Sequence, residues 1–523
     1  MASAKIQSLW TEHMSLLSPD ALAVVAFGAV LTFWLLSRRS KGRLPPGPRG
    51  LPFLGNALSL PSRRPWEVYK RWSQDYKSDL LYMKLPGTGI LVLNSAKAAN
   101  DLLNKRSSIY SDRPQSIMLR DFMGMSWVFG MMQYGDDWKQ HRRVFHKQFE
   151  GTPAVKMHEL NSVRRLLKRL LTSSANYARD MQLTTGDMIL SVTYGITPKS
   201  EDDHFITLAE SLVHALTIVA GGGFFVDLIP ALRYFPKWLP GGRWKVQAEE
   251  WNELGFKARS APFEHVKTQM ANGTAPPSVA SNFLSGDHEV LTKEAQSQMQ
   301  NILAEAYLGG AGATVGTLCS FTLAMCLYPE AQKKAQAALD DVLRGERLPD
   351  FSDYGKIPYI DALVNEVLRW HPGAPLGLFH STNKDDVYEG YFIPKGTMIS
   401  PNVWAILHDG GVYGPRTEDF IPERFLTADG KSRNEIPDVE IAFGFGRRIC
   451  PGRLMGRETL WMVAASVLTC FSLSNPVDEE GKPLDPATVE FSNSMASRPP
   501  YFDVTIERRN SNVEALIHDG LDA

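Results

Sequence analysis

One stretch near the C-terminal end, residues 443–456 (FGFGRRICPGRLMG), constrains the chain more than any other. It places Cys450, one of only four cysteines, among three glycines and three arginines: Gly444, Gly446, Gly452, Arg447, Arg448 and Arg453. Glycines suit a tight loop that approaches a large flat group, because they accept positive φ and carry no Cβ. Arginines favour a thiolate over a thiol, and a thiolate can ligate haem iron. A buried structural cysteine in a basic loop is the alternative.

The order of the residues in this stretch narrows the choice. Five of them fall in the register F-x-x-G-x-R-x-C-x-G: Phe443, Gly446, Arg448, Cys450 and Gly452. This register resembles the haem-binding loop of the cytochrome P450 family. The resemblance implies that Cys450 is the axial ligand of the iron in haem b (iron protoporphyrin IX) and that the other four residues contact the haem. It also implies a mainly α fold with a small β portion.

Length and charge leave the class of protein open but exclude some partners. A chain of 523 residues has room for several domains, or for one large enzyme built around a buried cofactor. The 56 lysines and arginines nearly balance the 57 aspartates and glutamates. We therefore expect no nucleic-acid partner. The cysteine spacing indicates neither a zinc site nor a disulfide framework, which favours a reducing compartment for the catalytic body.

The N-terminal region reads as a membrane anchor. Residues 21–36 are apolar and uncharged, slightly short of the ~20 residues that span a bilayer, and a basic cluster follows. We predict a short lumenal N-terminus (1–20), a transmembrane anchor (21–37) and a basic, proline-rich hinge (38–50). A cleaved signal and a buried core helix are the alternatives. The expected location is the endoplasmic reticulum membrane, single-pass, with the catalytic domain in the cytosol.

A catalytic domain is predicted over residues 51–508, followed by a polar C-terminal tail, residues 509–523. Residues 80–93 predict a β-hairpin, and helical spacing dominates the following 350 or so residues. The Met- and aromatic-rich residues 117–132 fit either core or an adaptable pocket wall. Residues 224–244 are apolar and interrupted by prolines, and we predict a lid whose outer side touches the bilayer.

Three residues are candidates for holding haem propionates: the pair Trp138 and Arg142, and His380. Trp138 and Arg142 are four residues apart, so on a helix they share one face, and both side chains can donate to a carboxylate. A solvated helix face is the alternative. The pair resembles the W-x-x-x-R element of the family, which contacts a propionate. By position in the family, His380 is a further propionate donor, although it could equally be a surface histidine.

A long helix is predicted from about Thr292 to Tyr328, and its centre is unusually rich in glycine. Four of the eight residues 309–316 (GGAGATVG) are glycines, and each costs about 1 kcal/mol relative to alanine in a helix. Tight packing against another helix or passage over a flat cofactor would explain them. The latter interpretation is favoured by Cys450.

This helix departs from the family pattern A/G-G-x-D/E-T, in which the acid and the alcohol deliver protons to oxygen. Alignment puts Gly312 and Ala313 at those two positions, and neither side chain relays a proton. Thr314 follows, but its side chain lies about 100° further round a helix, so it substitutes only where the helix is distorted. A relay through a substrate hydroxyl and water, a relay through Thr314, and a poorly coupled or different reaction all stay open.

A structural cluster is implied by two further matches to the family. Glu366 and Arg369 match E-x-x-R, and residues 422–425 match P-E-R-F with Arg424. Taken alone, a carboxylate and an arginine three residues apart usually form a weak surface ion pair. The resemblance implies instead that Glu366, Arg369 and Arg424 lock the core behind the cysteine loop.

The function expected from this resemblance is a haem-thiolate monooxygenase that inserts one oxygen atom from O2 into a lipophilic small molecule. Electrons from NADPH would arrive through a membrane-bound NADPH-cytochrome reductase, which a basic face would bind: Arg447, Arg448, Arg453, Arg457, Lys139, Arg143 and Lys147. The chain resembles fungal microsomal members that hydroxylate terpenoid, polyketide or alkaloid intermediates in secondary metabolite biosynthesis. A haem-thiolate isomerase or dehydratase, or a non-catalytic haem protein, is the alternative.

Overall fold

The structure is a computed structural model, and it describes residues 42–522 except 151, 173–176, 199–202, 221–223, 287–291, 311, 434, 479, 486–488 and 495. The predicted anchor and lumenal N-terminus lie outside the described residues. Within them, residues 43–50 of the predicted hinge form neither helix nor strand. The chain divides into a small unit, residues up to Pro45 with Asp385–Pro394, and a large unit formed by the rest. The expected catalytic domain is therefore interrupted by the second segment of the small unit.

The large unit is mainly helical, in agreement with the sequence. Its helices of seven or more residues are α1 Pro65–Tyr76, α2 Asp136–Phe149, α3 Pro153–Thr172, α4 Tyr177–Tyr194, α5 His204–Ala220, α6 Arg243–Ala271, α7 Val279–Ser285, α8 Lys293–Gly310, α9 Ala313–Leu327, α10 Pro329–Leu343, α11 Pro358–Trp370, α12 Arg453–Cys470 and α13 Val513–Asp522. Short α, 3₁₀ or π turns connect them: Ala96–Ala99, Asn100–Lys105, Ser107–Tyr110, Met118–Phe122, Phe129–Met131, Phe225–Leu228, Pro230–Tyr234, Val403–Leu407, Gly410–Tyr413, Pro422–Phe425, Val439–Phe443 and Gly446–Arg448.

The strands form three small sheets. They are β1 Leu80–Leu85, β2 Thr88–Leu93, β3 His380–Ser381, β4 Asp386–Tyr388, β5 Tyr391–Ile393, β6 Met398–Pro401, β7 Phe471–Val477 and β8 Asp503–Arg508. The largest sheet has the order β1-β2-β6-β3, with β2 and β6 parallel and the other pairs antiparallel. In the small unit, β4 pairs with β5, and the amide of Phe392 donates to the carbonyl of Arg43.

The predicted hairpin is confirmed as β1 and β2, joined by Pro86 and Gly87. Gly87 has φ of 77°, a conformation that glycine adopts without strain and that a preceding proline favours in a turn. Leu81 and Met83 are completely buried, which fixes the register because a slip of one residue would expose them.

The predicted helix 292–328 is described as two helices, because α8 ends at Gly310 and α9 begins at Ala313. Gly312 lies in a turn before α9, with φ of −104° and ψ of −77°. Low helix propensity in the glycine-rich centre explains why the helix is interrupted there. Within the described residues, the stretch 293–327 is long and apolar enough to cross a membrane, but more than half of its apolar part is buried, as in a core helix.

The chain ends in a helix, not in the polar tail that we expected for residues 509–523. Val513 and Ile517 of α13 are fully buried, because an apolar stripe at helical spacing docks against the body. The Met-rich stretch is largely core, since Met118, Met123 and Met125 are at most 1% exposed.

The predicted Glu366, Arg369 and Arg424 cluster is present. Arg369 forms a two-pronged salt bridge with Glu366, with Nε 2.7 Å from Oε2 and Nη2 2.9 Å from Oε1, and both side chains are fully buried. Arg424 Nε donates to Glu366 Oε1 at 3.2 Å, and the amide of Ile421 donates to the same oxygen at 2.7 Å. The carboxylate therefore joins α11 to the segment that precedes the cysteine loop.

We expect Glu366→Gln to lower the free energy of unfolding by about 3 kcal/mol or more, because it leaves two buried guanidinium groups without a counter-charge. Glu330→Gln is a matched control, since Glu330 pairs with Lys333 at the same spacing on an exposed helix surface. The control should change stability by less than about 1 kcal/mol in denaturant titration. Equal losses in the two variants would contradict the locking role.

A second buried carboxyl group makes stability depend on pH. Glu159 of α3 is fully buried against α12, where Thr459 Oγ1 donates to its Oε1 at 3.2 Å, and its Oε2 has no partner. Burial raises its pKa from about 4.5 to about 8, and Glu458 adds to the increase. The folded state retains a proton on Glu159 that the unfolded chain releases. The contribution of this group to the free energy of unfolding is therefore fully present below pH 4.5 and is lost as pH rises towards 8.

We expect Glu159→Gln to remove this decline, which amounts to at most about 1.4 kcal/mol per pH unit. In denaturant titrations between pH 5 and pH 8, the free energy of unfolding of the variant should increase relative to that of the wild-type protein as pH rises. A constant difference between them across this range would contradict the raised pKa.

Candidate functional site around Cys450

The cysteine loop is closed by its own backbone. The amide of Cys450 donates to the carbonyl of Phe443 at 2.8 Å. Gly444 and Gly446 have φ of 95° and 56°, and a Cβ on Gly446 would lie 2.1 Å from the carbonyl oxygen of Leu103. The positive φ expected of the loop glycines holds for these two. It is wrong for Gly452, which has φ of −92° at the start of α12.

Electrostatics at Cys450 differ from the sequence-based expectation. Burial raises the pKa of the thiol, while a hydrogen bond from the Gly452 amide and the charges of Arg142 and Arg453 lower it. Arg447, which we expected to act on the thiol, instead donates to the Tyr134 hydroxyl. Burial is the largest influence on this pKa and favours the neutral thiol, whereas a bound metal cation would deprotonate a coordinating thiol.

Arg448 is buried beside the loop and is incompletely paired. Its Nε donates to the carbonyl of Ser111 at 2.7 Å and its Nη2 to that of Met132 at 2.6 Å. Its guanidinium carbon lies 4.5 Å from the centre of the Trp138 ring. Nη1 is buried without a hydrogen-bond partner. Burial lowers the pKa of Arg448 to about 10, and the charge of Asp112 opposes this shift only in part.

Trp138 and Arg142 lie one turn apart on α2, as predicted. Trp138 is buried, and Arg142 Nη1 donates to the carbonyl of Ile449, at 2.5 Å, next to the cysteine. Arg142 Nε also donates to Nε2 of His146 at 2.8 Å. The structure thus brings Trp138, Arg142 and Arg448 together around the cysteine loop.

Arg113 is a site residue that the sequence analysis missed. Its Nε donates to the carbonyl of Gly130 at 3.0 Å, and its Nη1 to those of Leu378 and Phe379 at 2.9 and 2.7 Å. Burial, followed by the charge of Arg448, lowers its pKa to about 9. The sequence offered only an arginine before a proline in a polar stretch, residues 111–116, and that signal does not reveal burial.

His380 is buried in β3, and its Nδ1 lies 2.8 Å from the carbonyl oxygen of Tyr110. Burial and the charge of Arg113 hold its pKa well below the usual range. A neutral imidazole that donates from Nδ1 has no second N–H for a carboxylate. Its predicted role as a propionate donor therefore depends on protonation, and Arg113 is the better-placed donor.

These residues fit a group that carries two carboxylates. In the described part of the chain, no salt bridge joins Arg113, Arg142 or Arg448 to a carboxylate. Glu305, Glu150 and Asp112, respectively, act on them only through longer-range charge. Buried guanidinium groups are stable only with anionic partners, and they bind carboxylates well. Haem supplies two propionates for this cluster and an iron for Cys450.

The side of the candidate site opposite the cysteine loop is the accessible face of α8 and α9. Most residues of these helices are buried, whereas Gly309 and Ala313 are exposed and Glu305 is partly exposed, at a spacing of four residues. A Cβ on Gly309 would meet nothing within 4 Å, but one on Gly310 would lie 2.9 Å from Ile189, and one on Gly316 would lie 2.5 Å from the Ser497 carbonyl oxygen. Tight packing thus explains Gly310 and Gly316, while passage over a cofactor stays a prediction for Gly309, where the space is open.

Ala313 lies on this accessible face, so an aliphatic group occupies the position of the usual alcohol. The helix is interrupted at Gly312, which is the kind of distortion that a role for Thr314 requires. Thr314 is half-buried, and its hydroxyl makes no hydrogen bond to another described residue. Its role in proton delivery stays a prediction.

The expected basic face is smaller than the sequence indicated. Arg448 is buried, and three of the other cations are paired with carboxylates: Arg453 with Glu440, Arg457 with Asp438, and Lys139 with Asp136. Among the described residues, Arg143 and Lys147 are exposed without an ion pair, and Arg447 is exposed over the Tyr134 ring. These three cations are what the surface offers an acidic partner.

Comparison with known proteins agrees with this site. A family model described as Cytochrome P450 matches residues 45–502. Cytochrome P450 monooxygenase eriA of Hericium erinaceus is 67% identical, covering 100% of this chain and 99% of that protein. Cytochrome P450 monooxygenase ple1 of Rhodocybe pseudopiperita is 40% identical (95% and 96%), and tryptamine 4-monooxygenase of Psilocybe cyanescens is 36% identical (91% and 95%).

We expect Arg448→Ala to weaken haem retention at least tenfold, because a buried guanidinium that pairs with a carboxylate contributes that much or more. Arg447→Ala is the control, since this neighbouring arginine is exposed. The ratio of haem to protein after gel filtration, with circular dichroism to verify folding, measures the difference. Equal retention in the two variants would contradict the assignment.

Proposed function

Because the chain belongs to the cytochrome P450 family, we propose that it is a haem-thiolate monooxygenase that inserts one oxygen atom from O2 into a lipophilic small molecule. The observation that carries this proposal is the arrangement around Cys450. A cysteine with one backbone N–H donor lies near Arg142, and among the described residues neither Arg142 nor the buried Arg448 and Arg113 forms a salt bridge with a carboxylate. This is the donor set that a haem requires.

Haem bound through a cysteine thiolate supplies the oxygen chemistry. The protein's own groups hold it and tune it. Arg113, Arg142 and Arg448 would bind the propionates, with Trp138 packed against Arg448. The Gly452 amide, which hydrogen-bonds to the cysteine sulfur, would moderate its electron donation.

Proton delivery follows a modified route in this proposal. Gly312 and Ala313 carry no exchangeable side-chain proton, so the relay must use Thr314, ordered water or a hydroxyl on the substrate. The interruption of the helix at Gly312 supports access to the backbone there. We keep Thr314 as the protein's candidate.

Electrons would come from NADPH through a membrane-bound reductase, since the chain contains no flavin- or nicotinamide-binding motif. Arg143, Lys147 and Arg447 are the exposed cations that an acidic reductase surface would meet. The predicted anchor, residues 21–37, would hold the protein in the endoplasmic reticulum membrane. Exposed Phe225, Tyr234 and Trp238 in the predicted lid support contact with a bilayer.

The substrate proposed is a terpenoid, polyketide or alkaloid intermediate of secondary metabolism. The apolar core around the site favours a lipophilic molecule. A relative at 36% identity is named for its action on tryptamine, which is an alkaloid precursor by chemistry. This likeness supports the class of substrate and not its identity.

A second candidate is an isomerase or dehydratase that rearranges its substrate without external electrons. The observation that favours it is the aliphatic Ala313 on the accessible helix face, where the alcohol of a proton relay would lie. A non-catalytic haem protein is a third reading, and the open helix face above the cysteine argues against it.

We expect the reduced, carbon-monoxide-bound protein to show the red-shifted Soret band of thiolate ligation, and Cys450→Ser to lose it. Cys319→Ser is the control, because Cys319 is a buried cysteine of α9 without a role in the proposal. In the presence of reductase, NADPH consumption coupled to the formation of an oxidised product would support the monooxygenase. Product formed without NADPH would favour the isomerase, and a histidine-like band in the wild-type protein would overturn both.

A further inference from the structure

Glu305 is a carboxyl group on the accessible face of α8, and the proposed chemistry does not use it. It precedes Gly309 by four residues and Ala313 by eight, so the three residues lie along one face. Five of its neighbours on α8 are buried and apolar: Ile302, Leu303, Ala304, Ala306 and Leu308. A charged side chain here needs a reason, because an apolar residue would suit an apolar pocket better.

One oxygen of this carboxyl group is held in place. The amide of Gly130 donates to Oε1 at 3.2 Å, and a Cβ on Gly130 would lie 2.6 Å from the same oxygen. Glycine at position 130 therefore leaves room for the carboxyl group in this position. Arg113 donates to the carbonyl of the same Gly130, so the loop that holds Glu305 is itself fixed. The direction of the carboxyl group is thus determined.

The other oxygen, Oε2, is buried and has no hydrogen-bond partner. A buried carboxyl oxygen without a partner is unfavourable, so natural proteins seldom keep one without a use. Burial raises the pKa of Glu305 to about 7, although the Gly130 amide and Arg113 lower it in part. The group therefore accepts hydrogen bonds readily at neutral pH.

We propose that Glu305 Oε2 accepts a hydrogen bond from a hydroxyl group of the substrate, so that the enzyme selects lipophilic alcohols. This inference rests on the proposed function, because it assigns the substrate class of the same site. Eight helical residues correspond to about 12 Å of rise. The hydroxyl group would then lie at one end of the molecule and the oxidised carbon near Ala313 at the other.

A hydroxyl group fits better than an ammonium group. A carboxyl group accepts from a hydroxyl in either protonation state, whereas an ammonium requires the ionised form, which burial opposes. Arg113 contacts the same loop and adds positive charge on this side.

The test is a binding titration of the ferric holoenzyme at a pH one unit above the pKa of Glu305. Binding is monitored through the shift of the Soret band. The probes are androstanol and androstanone, rigid molecules of suitable length that differ in whether the oxygen can donate. We expect the wild-type protein to bind the alcohol about tenfold more tightly than the ketone. Glu305→Gln should reduce the ratio of the two dissociation constants to near one, because Gly130 holds the amide oxygen and the NH2 group faces the probe.

Glu159→Gln is the matched control. It makes the same change in another buried carboxyl group with one unpartnered oxygen, but between α3 and α12. The ratio of the two dissociation constants in Glu159→Gln should equal the ratio in the wild-type protein. Glu305→Met, which keeps a similar volume without polar atoms, should also give a ratio near one. It serves as the second variant if the amide perturbs folding.

A wild-type ratio near one, failure of the wild-type protein to bind the alcohol, or an unchanged ratio in both Glu305 variants would overturn the proposal. So would tighter binding of the corresponding amine that both variants lose, because the partner would then be an ammonium group. The titration needs no electrons, and the carbon-monoxide spectrum is recorded on the same samples. A thiolate band with no hydroxyl preference would reject this inference alone, whereas loss of the band in the wild-type protein would reject the proposed function.

Discussion

Unpaired positive charge beside Cys450 is the constraint on which the rest of the site depends. Arg142 donates to a carbonyl of the cysteine loop, Arg448 belongs to that loop, and Arg113 donates to carbonyls of neighbouring segments. Among the described residues, no salt bridge joins any of the three to a carboxylate. Burial also raises the pKa of the thiol. Both features are unfavourable in the protein alone, and both are relieved by one group that brings two carboxylates and a metal cation. The site is therefore complementary to a haem in charge as well as in position.

A second carboxylate keeps this arrangement in place from behind. Glu366 binds Arg369, Arg424 and a backbone amide, so its charge is fully used inside the protein. The contrast with Glu305 is informative, because both are buried glutamates on long helices. Glu366 has its partners within the chain and is structural, while Glu305 has one oxygen, Oε2, that is buried without a hydrogen-bond partner among the described residues. The same side chain thus acquires different roles from different surroundings.

The interrupted helix connects these observations to function. Gly310 and Gly316 allow close packing against Ile189 and Ser497, while Gly309 and Ala313 leave an open face. The helix is held firmly on one side and is accessible on the other, which suits a wall between the core and a substrate. Its break at Gly312 falls where the family pattern would place an acid, and neither Gly312 nor Ala313 carries a side chain that relays a proton.

The sequence by itself determined the elements whose cause is local. The hairpin, the cysteine loop, the pairing of Trp138 with Arg142 on one helix face, and the spacing of Glu366 and Arg369 follow from turn chemistry and helical periodicity. Only the tertiary structure decided what each charged side chain contacts. It shows that Arg448 is buried and not part of a docking face, that Arg113 joins the site, and that Glu305 keeps an unpaired oxygen. It also shows that residues 513–522 form a docked helix. The reason is physical, because burial and pairing depend on residues hundreds of positions away, and the pKa of a side chain and the direction of its hydrogen bonds are set by those neighbours.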